Sequence, residues 1–164
     1  MRRGGVRAIG LVVLVLGVLV GIVLWVVAGN RYDDAVSALA PVPIGCTTTL
    51  AFDRSGTYTF YVETKGEVGE IDGDCVTDDR EYDVDEEDAP RVSLTLVDVQ
   101  GDEVDLDAAD GPSYDRAGHR GEGIRTVDID DPGDYELTAT SDAGATEVLV
   151  RVGRDPADGV TALR

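Results

Sequence analysis

One stretch near the N-terminus constrains this chain more than any other feature. Residues 8–28 are 21 consecutive positions without a charged residue or a proline. A helix rises about 1.5 Å per residue, so this stretch is long enough to cross the hydrocarbon core of a bilayer, which is about 30 Å thick. The sequence therefore predicts a transmembrane helix over residues 8–29, with the lipid bilayer as its partner.

The basic residues around this helix indicate its orientation. Three arginines lie within residues 1–7, and the next basic residue is Arg31. Positive charge favours the cytoplasmic side, so we expect a cytoplasmic N-terminus at residues 1–7, a single pass through the cell membrane and an extracytoplasmic remainder. A cleavable signal peptide is the alternative, because residues 26–28 (VVA) form an acceptable cleavage sequence. The apolar core of such a peptide is normally only about 7 to 15 residues long.

Two glycines of the predicted span, Gly17 and Gly21, lie one helical turn apart. Small residues at this spacing allow two membrane helices to approach closely. They form a candidate packing seam for a lateral homodimer. The alternative is that they are ordinary glycines, which are frequent in membrane spans.

The part of the chain after the anchor is strongly acidic. The chain has 33 Asp and Glu against 14 Lys and Arg, a formal net charge of −19, and every acidic residue follows the anchor. Such a surface repels nucleic acid and anionic lipid, so we expect no nucleic-acid partner. It favours solubility and is able to attract a basic protein.

Both cysteines, Cys46 and Cys75, follow the anchor. Oxidising surroundings outside the cytoplasm favour a disulfide between them. The alternative is a pair of thiols used for metal binding or redox chemistry. It is disfavoured because the two residues are widely spaced and no histidine lies near them.

After the anchor the hydrophobic pattern changes to a period of two residues, which is typical of β-strands. The segments with this character are residues 47–52, 57–63, 91–99, 104–107, 124–130, 135–141 and 146–152. We therefore predict an all-β protein, an antiparallel β-sandwich of about seven to eight strands preceded by one transmembrane α-helix. The predicted parts after the helix are a stalk at 30–44, the β-sandwich domain at 45–156 and a C-terminal tail at 157–164.

One pattern occurs twice in the domain, at residues 52–60 and 129–137, with an offset of 77 residues. Each copy has an apolar residue, Asp, Gly, Tyr and an apolar residue in the same order. Each predicts a strand, a tight turn and a second strand with an inward-facing ring. In the second turn, residues 131–134, the proline fixes one torsion and the glycine is expected to adopt a positive φ. The turn and corner residues are Gly56, Tyr58, Asp131, Gly133 and Tyr135.

The second copy resembles the tyrosine corner of immunoglobulin-like sandwiches, in which a Tyr hydroxyl binds a nearby backbone group. Leu137 stands where an immunoglobulin domain often has its second cysteine, and no tryptophan occurs in the domain. The resemblance therefore covers the geometry of the corner and not membership of that family.

The layout of the chain is similar to that of a group of actinobacterial single-pass membrane proteins that carry an exported β-sandwich. The resemblance rests on the segments 56–63 (GTYTFYVE), 132–137 (PGDYEL) and 152–156 (VGRDP). It implies a protein of the cell envelope with G-x-Y hairpins, and it assigns no functional residues.

The residue types of common enzyme sites are sparse. His119 is the single histidine, so a catalytic triad or a multi-histidine metal site is not expected, and its Gly and Arg neighbours predict an exposed loop tip. A carboxylate-based hydrolase is a remote alternative, since few aromatic residues remain to line a sugar cleft. We expect a non-enzymatic interaction or structural module that binds a partner protein and needs no cofactor.

Two long polar loops are predicted, at residues 70–88 and 107–123. The first is the densest acidic segment, and hard cations such as Ca²⁺ prefer several carboxylate oxygens. A calcium- or ligand-binding extracellular module is therefore the alternative function, although the EF-hand register fails in this segment. The candidate calcium ligands are Asp72, Asp74, Asp83, Asp85 and Asp88.

Overall fold

The structure is a computed structural model that describes residues 3–69, 71, 75, 78–142 and 147–158, with side chains from residue 13 onward. One long helix precedes two antiparallel β-sheets in this part of the chain. The predicted fold class, an all-β sandwich preceded by one helix, is confirmed.

Helix α1 runs without interruption over Arg3–Ser37. Its segment Val13–Ser37 is long and apolar enough to cross a membrane, with a mean hydropathy of 2.5 and none of its most apolar window buried. A signal sequence near an N-terminus has the same properties. The helix ends shortly before Pro41, whose ring disfavours helical geometry in the residue before it.

Eleven strands follow α1 within the described residues. They are β1 (Ala40–Val42), β2 (Thr47–Phe52), β3 (Gly56–Val68), β4 (Arg80–Asp83), β5 (Val92–Val97), β6 (Glu103–Val104), β7 (Asp107–Ala108), β8 (Ser113–Arg116), β9 (His119–Ile129), β10 (Gly133–Ser141) and β11 (Leu149–Gly153). Sheet A has the order β1-β11-β3-β9-β7, with β4 also paired to β3 and β8 to β9. Sheet B has the order β2-β10-β5-β6.

The repeated pattern forms two arches that cross between the sheets, rather than the expected hairpins. In the first copy the chain passes from β2 in sheet B to β3 in sheet A, and in the second it passes from β9 in sheet A to β10 in sheet B. The strands of one copy pair with those of the other, β2 with β10 and β3 with β9. Each copy therefore contributes one strand to each sheet, and the two copies together connect the sheets.

The main core lies between the sheets and contains side chains from both arches. Phe60 and Leu137, one from each copy, are completely buried, and Leu96 of β5 is equally buried beside them. These residues belong to the alternating segments in which the sequence predicted strands. Their burial is the main source of stability, at about 1.5–3 kcal/mol for each large apolar side chain.

The predicted stalk, residues 30–44, contains the last turns of α1 followed by β1. β1 pairs with β11, and Val42 is fully buried in the sandwich core. The helix continues without interruption through residues 30–37. Val36 and Leu39 pack in an apolar cluster with Tyr61 and Tyr114. Of the predicted tail at 157–164, only residues up to 158 lie in the described part of the chain.

The two predicted polar loops contain regular structure. The segment 70–88 includes β4 and a short 3₁₀ turn at Glu86–Asp88, and the segment 107–123 includes β7, β8 and the beginning of β9. Two of these short strands carry one buried ring each, Tyr82 in β4 and Tyr114 in β8. A single ring in a polar segment leaves no periodic pattern, which is why these strands were not predicted.

Candidate functional site

Glu63 is the most unusual side chain in the domain, because this carboxylate in the middle of β3 has no exposed surface. An isolated buried carboxylate costs several kcal/mol, so it requires an opposite charge and hydrogen-bond donors. β3 is surrounded by β4, β9 and β11, and β8 lies beyond β9. These strands supply the partners.

Four side chains converge on the carboxylate of Glu63. The Tyr82 hydroxyl donates to Oε1, and Arg151 Nε donates to the same oxygen at 3.0 Å. The Tyr114 hydroxyl donates to Oε2 at 2.7 Å, and His119 Nδ1 lies 3.2 Å from Oε2. We call these five residues the Glu63 cluster.

The protonation states in the cluster follow from burial and charge. Burial raises the pKa of Tyr82 and Tyr114 well above the ordinary value, and the charge of Glu63 and its hydrogen bonds act in the same direction. For Arg151, burial opposes the charged form, but the neighbouring Glu63 carboxylate raises the pKa above its usual value. The arrangement favours one buried ion pair with two neutral tyrosines at neutral pH.

Two glycines make room for the cluster. A Cβ on Gly66 would lie 2.5 Å from His119 Nδ1 and 2.7 Å from Glu63 Oε1. A Cβ on Gly121 would lie 2.5 Å from Cζ of the Tyr114 ring. Such separations are below normal contact distances, so any larger residue at either position displaces the cluster.

The cluster also contacts the end of α1. Arg151 Nη1 donates to the backbone oxygen of Leu39 at 3.3 Å, and Nη2 donates to that of Glu67 at 3.0 Å. Val36 and Leu39 pack with Tyr61 and Tyr114 in a separate apolar cluster. The same side chains that neutralise Glu63 therefore attach the helix end to sheet A.

A cleft of about 760 Å³ lies beside the cluster. Charged and polar residues from the helix end, β3, β4, β9 and β11 line it, including Ser37, Glu67, Arg80, His119 and Arg151. The predicted position of His119 in an exposed loop is wrong. Its side chain is only 12% exposed, because the β8–β9 hairpin folds it against Glu63.

The corner residues form two matching hydrogen bonds. The Tyr135 hydroxyl donates to the backbone oxygen of Asp131, and the Tyr58 hydroxyl donates to that of Arg54, both at 2.9 Å. Both rings pack edge-on against Phe52, with centroid distances of 5.2 Å and 4.6 Å. The repeated sequence therefore makes the same bond twice, once at each arch.

The two turn glycines differ in backbone conformation. Gly56 has a positive φ of +130°. Gly133 does not adopt a positive φ, and this part of the expectation is wrong. The reason is that Gly133 is already the first residue of β10, paired with Phe52 of β2.

Cys46 and Cys75 form a disulfide with a Cα–Cα distance of 6.1 Å. It connects the segment between β1 and β2 to the segment between β3 and β4. The covalent link therefore joins two parts of the chain that no strand pairing connects directly in the described residues.

The candidate calcium ligands do not form a described site. Asp72 and Asp74 lie outside the described residues. Asp83 accepts a hydrogen bond from Lys65 at 2.7 Å, Asp85 precedes the 3₁₀ turn, and Asp88 is its last residue. Within the described ranges, no group of three or more metal-ligating side chains comes together.

Gly17 and Gly21 lie on a helix surface with open space around it, and a Cβ at either position would meet no atom within 4 Å. A homodimer seam at these positions stays a prediction.

Comparison of the chain with protein-family models, with curated proteins and with solved structures finds no match. The functional argument therefore rests on the geometry of the described residues.

Proposed function

We propose that this protein is a membrane-anchored extracytoplasmic module of the cell envelope, in which a non-enzymatic β-sandwich serves interaction or structure. In this proposal residues 8–29 span the bilayer and the N-terminus is cytoplasmic. The observation that carries it is the continuity of α1, whose exposed apolar part leads directly into contacts with sheet A.

The charge distribution supports this orientation. Three arginines precede the apolar part of α1, whereas all 33 acidic residues of the chain follow it. Positive charge at the short N-terminal side favours retention in the cytoplasm. The disulfide between Cys46 and Cys75 suits an oxidising compartment on the other side.

The sandwich packs directly against the end of the helix, so an uncleaved helix would hold it at the membrane surface. Val36 and Leu39 are 1% and 3% exposed, so the helix end belongs to the packed domain. A Cβ on Gly153 would lie 2.5 Å from Leu39 Cδ2, which indicates how closely this end approaches β11. A chain cleaved after Ala28 would retain these contacts but lose the apolar segment that precedes them.

The Glu63 cluster supports a structural role. Oε1 accepts hydrogen bonds from Tyr82 and Arg151, and Oε2 accepts one from Tyr114 with His119 close by. A general base needs a lone pair directed at a substrate proton. The donors of the chain itself already occupy both oxygens of this carboxylate, so we propose that it holds the domain together.

Protease treatment of intact cells tests the location and the orientation. We expect added protease to remove the sandwich, leaving a membrane-bound fragment that contains the N-terminus. A cytoplasmic protein of the same cells serves as the control for cell integrity. Protection of the sandwich in intact cells, with digestion only after lysis, would contradict the proposed topology.

The mass of the mature protein separates an anchor from a signal peptide. We expect the chain in the membrane fraction to retain residues 8–28 and to resist extraction by high salt. A soluble form that begins after Ala28 would establish the signal-peptide alternative.

A further inference from the structure

A second pocket, of about 480 Å³, opens between the two sheets. Sheet A contributes Val62, Thr64 and Ile124 to its lining, and β5 of sheet B contributes Val92 and Ser93. Val92 and Ile124 are only partly buried, in contrast to the fully buried Phe60 and Leu137 of the core. The sandwich is therefore open at this position and leaves an apolar surface exposed inside it.

The pocket coincides with two irregularities of the β3–β9 ladder. The register skips one residue on each strand, Ile124 on β9 and Thr64 on β3. Both skipped residues line the pocket. Bulges redirect side chains and are frequent next to functional sites, so the coincidence of both bulges with one pocket points to a purpose other than packing.

Thr64 provides an unused hydrogen-bonding group. The residue is 5% exposed, and its hydroxyl has no hydrogen-bond partner among the described residues. A buried hydroxyl without a partner costs about 1–3 kcal/mol, so it is usually paired. A ligand with a polar group would supply the partner.

The rim of the pocket carries charges of both signs. Arg91, Arg125, Glu86 and Glu122 lie there, and none of the four forms an ion pair in the described ranges. All four side chains are exposed and therefore accessible to a ligand, and Arg125 Nη1 donates to the backbone oxygen of Ile124 at 2.7 Å.

The combination of these groups restricts the kind of ligand that the pocket is able to bind. A simple anion would face Glu86 and Glu122, and a simple cation would face the two arginines. A neutral apolar molecule would make no use of the four charges. A molecule with one positive and one negative group satisfies both kinds of charge, while an aliphatic group contacts the apolar walls.

We propose that this pocket binds a small zwitterion with an aliphatic side group, of which a free amino acid such as leucine is the simplest form. The carboxylate pairs with Arg91 or Arg125, and the ammonium group pairs with Glu86 or Glu122. The side group packs on Val62, Val92 and Ile124. This proposal does not depend on the orientation of the protein in the membrane.

Methyl NMR of the full chain in phosphatidylglycerol nanodiscs tests the proposal, since this lipid is not zwitterionic. We expect L-leucine to shift the Ile124 and Val92 methyl signals saturably in the millimolar range and to leave Ile129, buried in the core, unchanged. Isopentylamine and 4-methylpentanoate each lack one charge of leucine. We expect each to bind at least about tenfold more weakly, equivalent to about 1.4 kcal/mol.

Three variants and one control complete the experiment. Thr64→Val and the double variant Arg91→Gln/Arg125→Gln should weaken leucine binding, and Ile124→Phe should weaken it by replacing the aliphatic wall with a larger ring. Arg116→Gln, in β8 and outside the pocket, should bind as the wild type does. The Ile129 signal reports whether each variant is folded.

The absence of saturable shifts at Ile124 and Val92 with leucine would overturn the proposal. Equal binding of leucine and its two singly charged analogues would overturn the zwitterionic ligand. Equal binding by the wild type and a folded Ile124→Phe variant would place the ligand elsewhere.

Discussion

Several hydrogen bonds of this domain are donated by tyrosine hydroxyls. Tyr58 and Tyr135 each donate to a backbone oxygen four residues earlier. Tyr135→Phe and Tyr58→Phe should each lower the free energy of unfolding by about 1 kcal/mol, because each removes one intramolecular hydrogen bond. Urea unfolding followed by circular dichroism measures this change.

Tyr61 provides the matched control for this prediction. Its side chain is completely buried, and its hydroxyl makes no hydrogen bond of good geometry in the described part of the chain. Tyr61→Phe should therefore leave the unfolding midpoint unchanged or raise it. An equal loss in all three variants would argue against a specific contribution from the corner bonds.

The buried ion pair gives a second prediction at the level of residues. Arg151→Met removes the positive charge beside Glu63 and should destabilise the domain by about 3–5 kcal/mol. Adding Glu63→Gln removes the uncompensated charge. Its amide oxygen accepts from one of the two tyrosines, and its NH2 group donates to the hydroxyl oxygen of the other. The double variant should therefore be more stable than Arg151→Met alone, and purely additive losses would contradict the assigned pairing.

Among the elements, the short strands β4 and β8 depend on tyrosines that must stay neutral. The pKa of Tyr82 and of Tyr114 is raised above the value of 10.0 in the unfolded chain. The stability that depends on these neutral hydroxyls is therefore complete below about pH 10 and is lost as the pH rises further.

Tyrosinate absorbance and circular dichroism, recorded together during an alkaline titration, check this prediction. The buried tyrosines should ionise only as the fold is lost, and Tyr82→Phe should reduce the number that do so. Complete ionisation near pH 10 with the sheets intact would contradict the burial of these groups.

The disulfide stabilises the fold by linking the β1–β2 segment to the β3–β4 segment. It closes a segment with a sequence separation of 29 residues, which restricts the unfolded chain by about 3–4 kcal/mol in the chain-entropy model. A variant with both Cys46→Ser and Cys75→Ser should lose about this amount of stability. The loss is measured by urea unfolding, with the wild type plus reductant as the comparison. An unchanged unfolding midpoint in both the variant and the reduced wild type would show that the disulfide contributes little to the free energy of unfolding.

At the scale of the whole molecule, the predictable part of the fold comes from the long strands. β3, β9 and β10 alternate clearly, and the two copies of the arch motif share one residue pattern. Shorter strands such as β4 and β8 were not predicted, because the partner of the single buried ring of each, Glu63 on β3, lies 19 and 51 residues away in the sequence. Local pattern alone does not identify such partners.

The site was harder to predict than the fold. Glu63 occupies the polar side of an alternating strand, where a charged residue normally faces water. Arg151 interrupts an apolar run in the last strand, and this isolated charge was the available signal. Their pairing depends on the neighbouring positions of β3 and β11, which single-strand patterns do not specify.

Thermal melts of the whole molecule with and without calcium test the calcium-binding alternative. A ligand that binds only the folded state raises the melting temperature. Since Asp83 is already paired with Lys65, we expect millimolar calcium to leave the melting temperature unchanged. A saturable rise would instead favour the calcium-binding alternative and involve the acidic segment at 70–88.

The short connection from α1 to sheet A limits the distance between the sandwich and the membrane surface. If residues 8–29 span the bilayer, the remaining helical residues up to Ser37 lift the sandwich by only about 12 Å. Without a flexible tether, the sandwich must tilt and rotate together with its helix. In that topology, a partner of the sandwich would have to come close to the lipid headgroups, as neighbouring membrane proteins do.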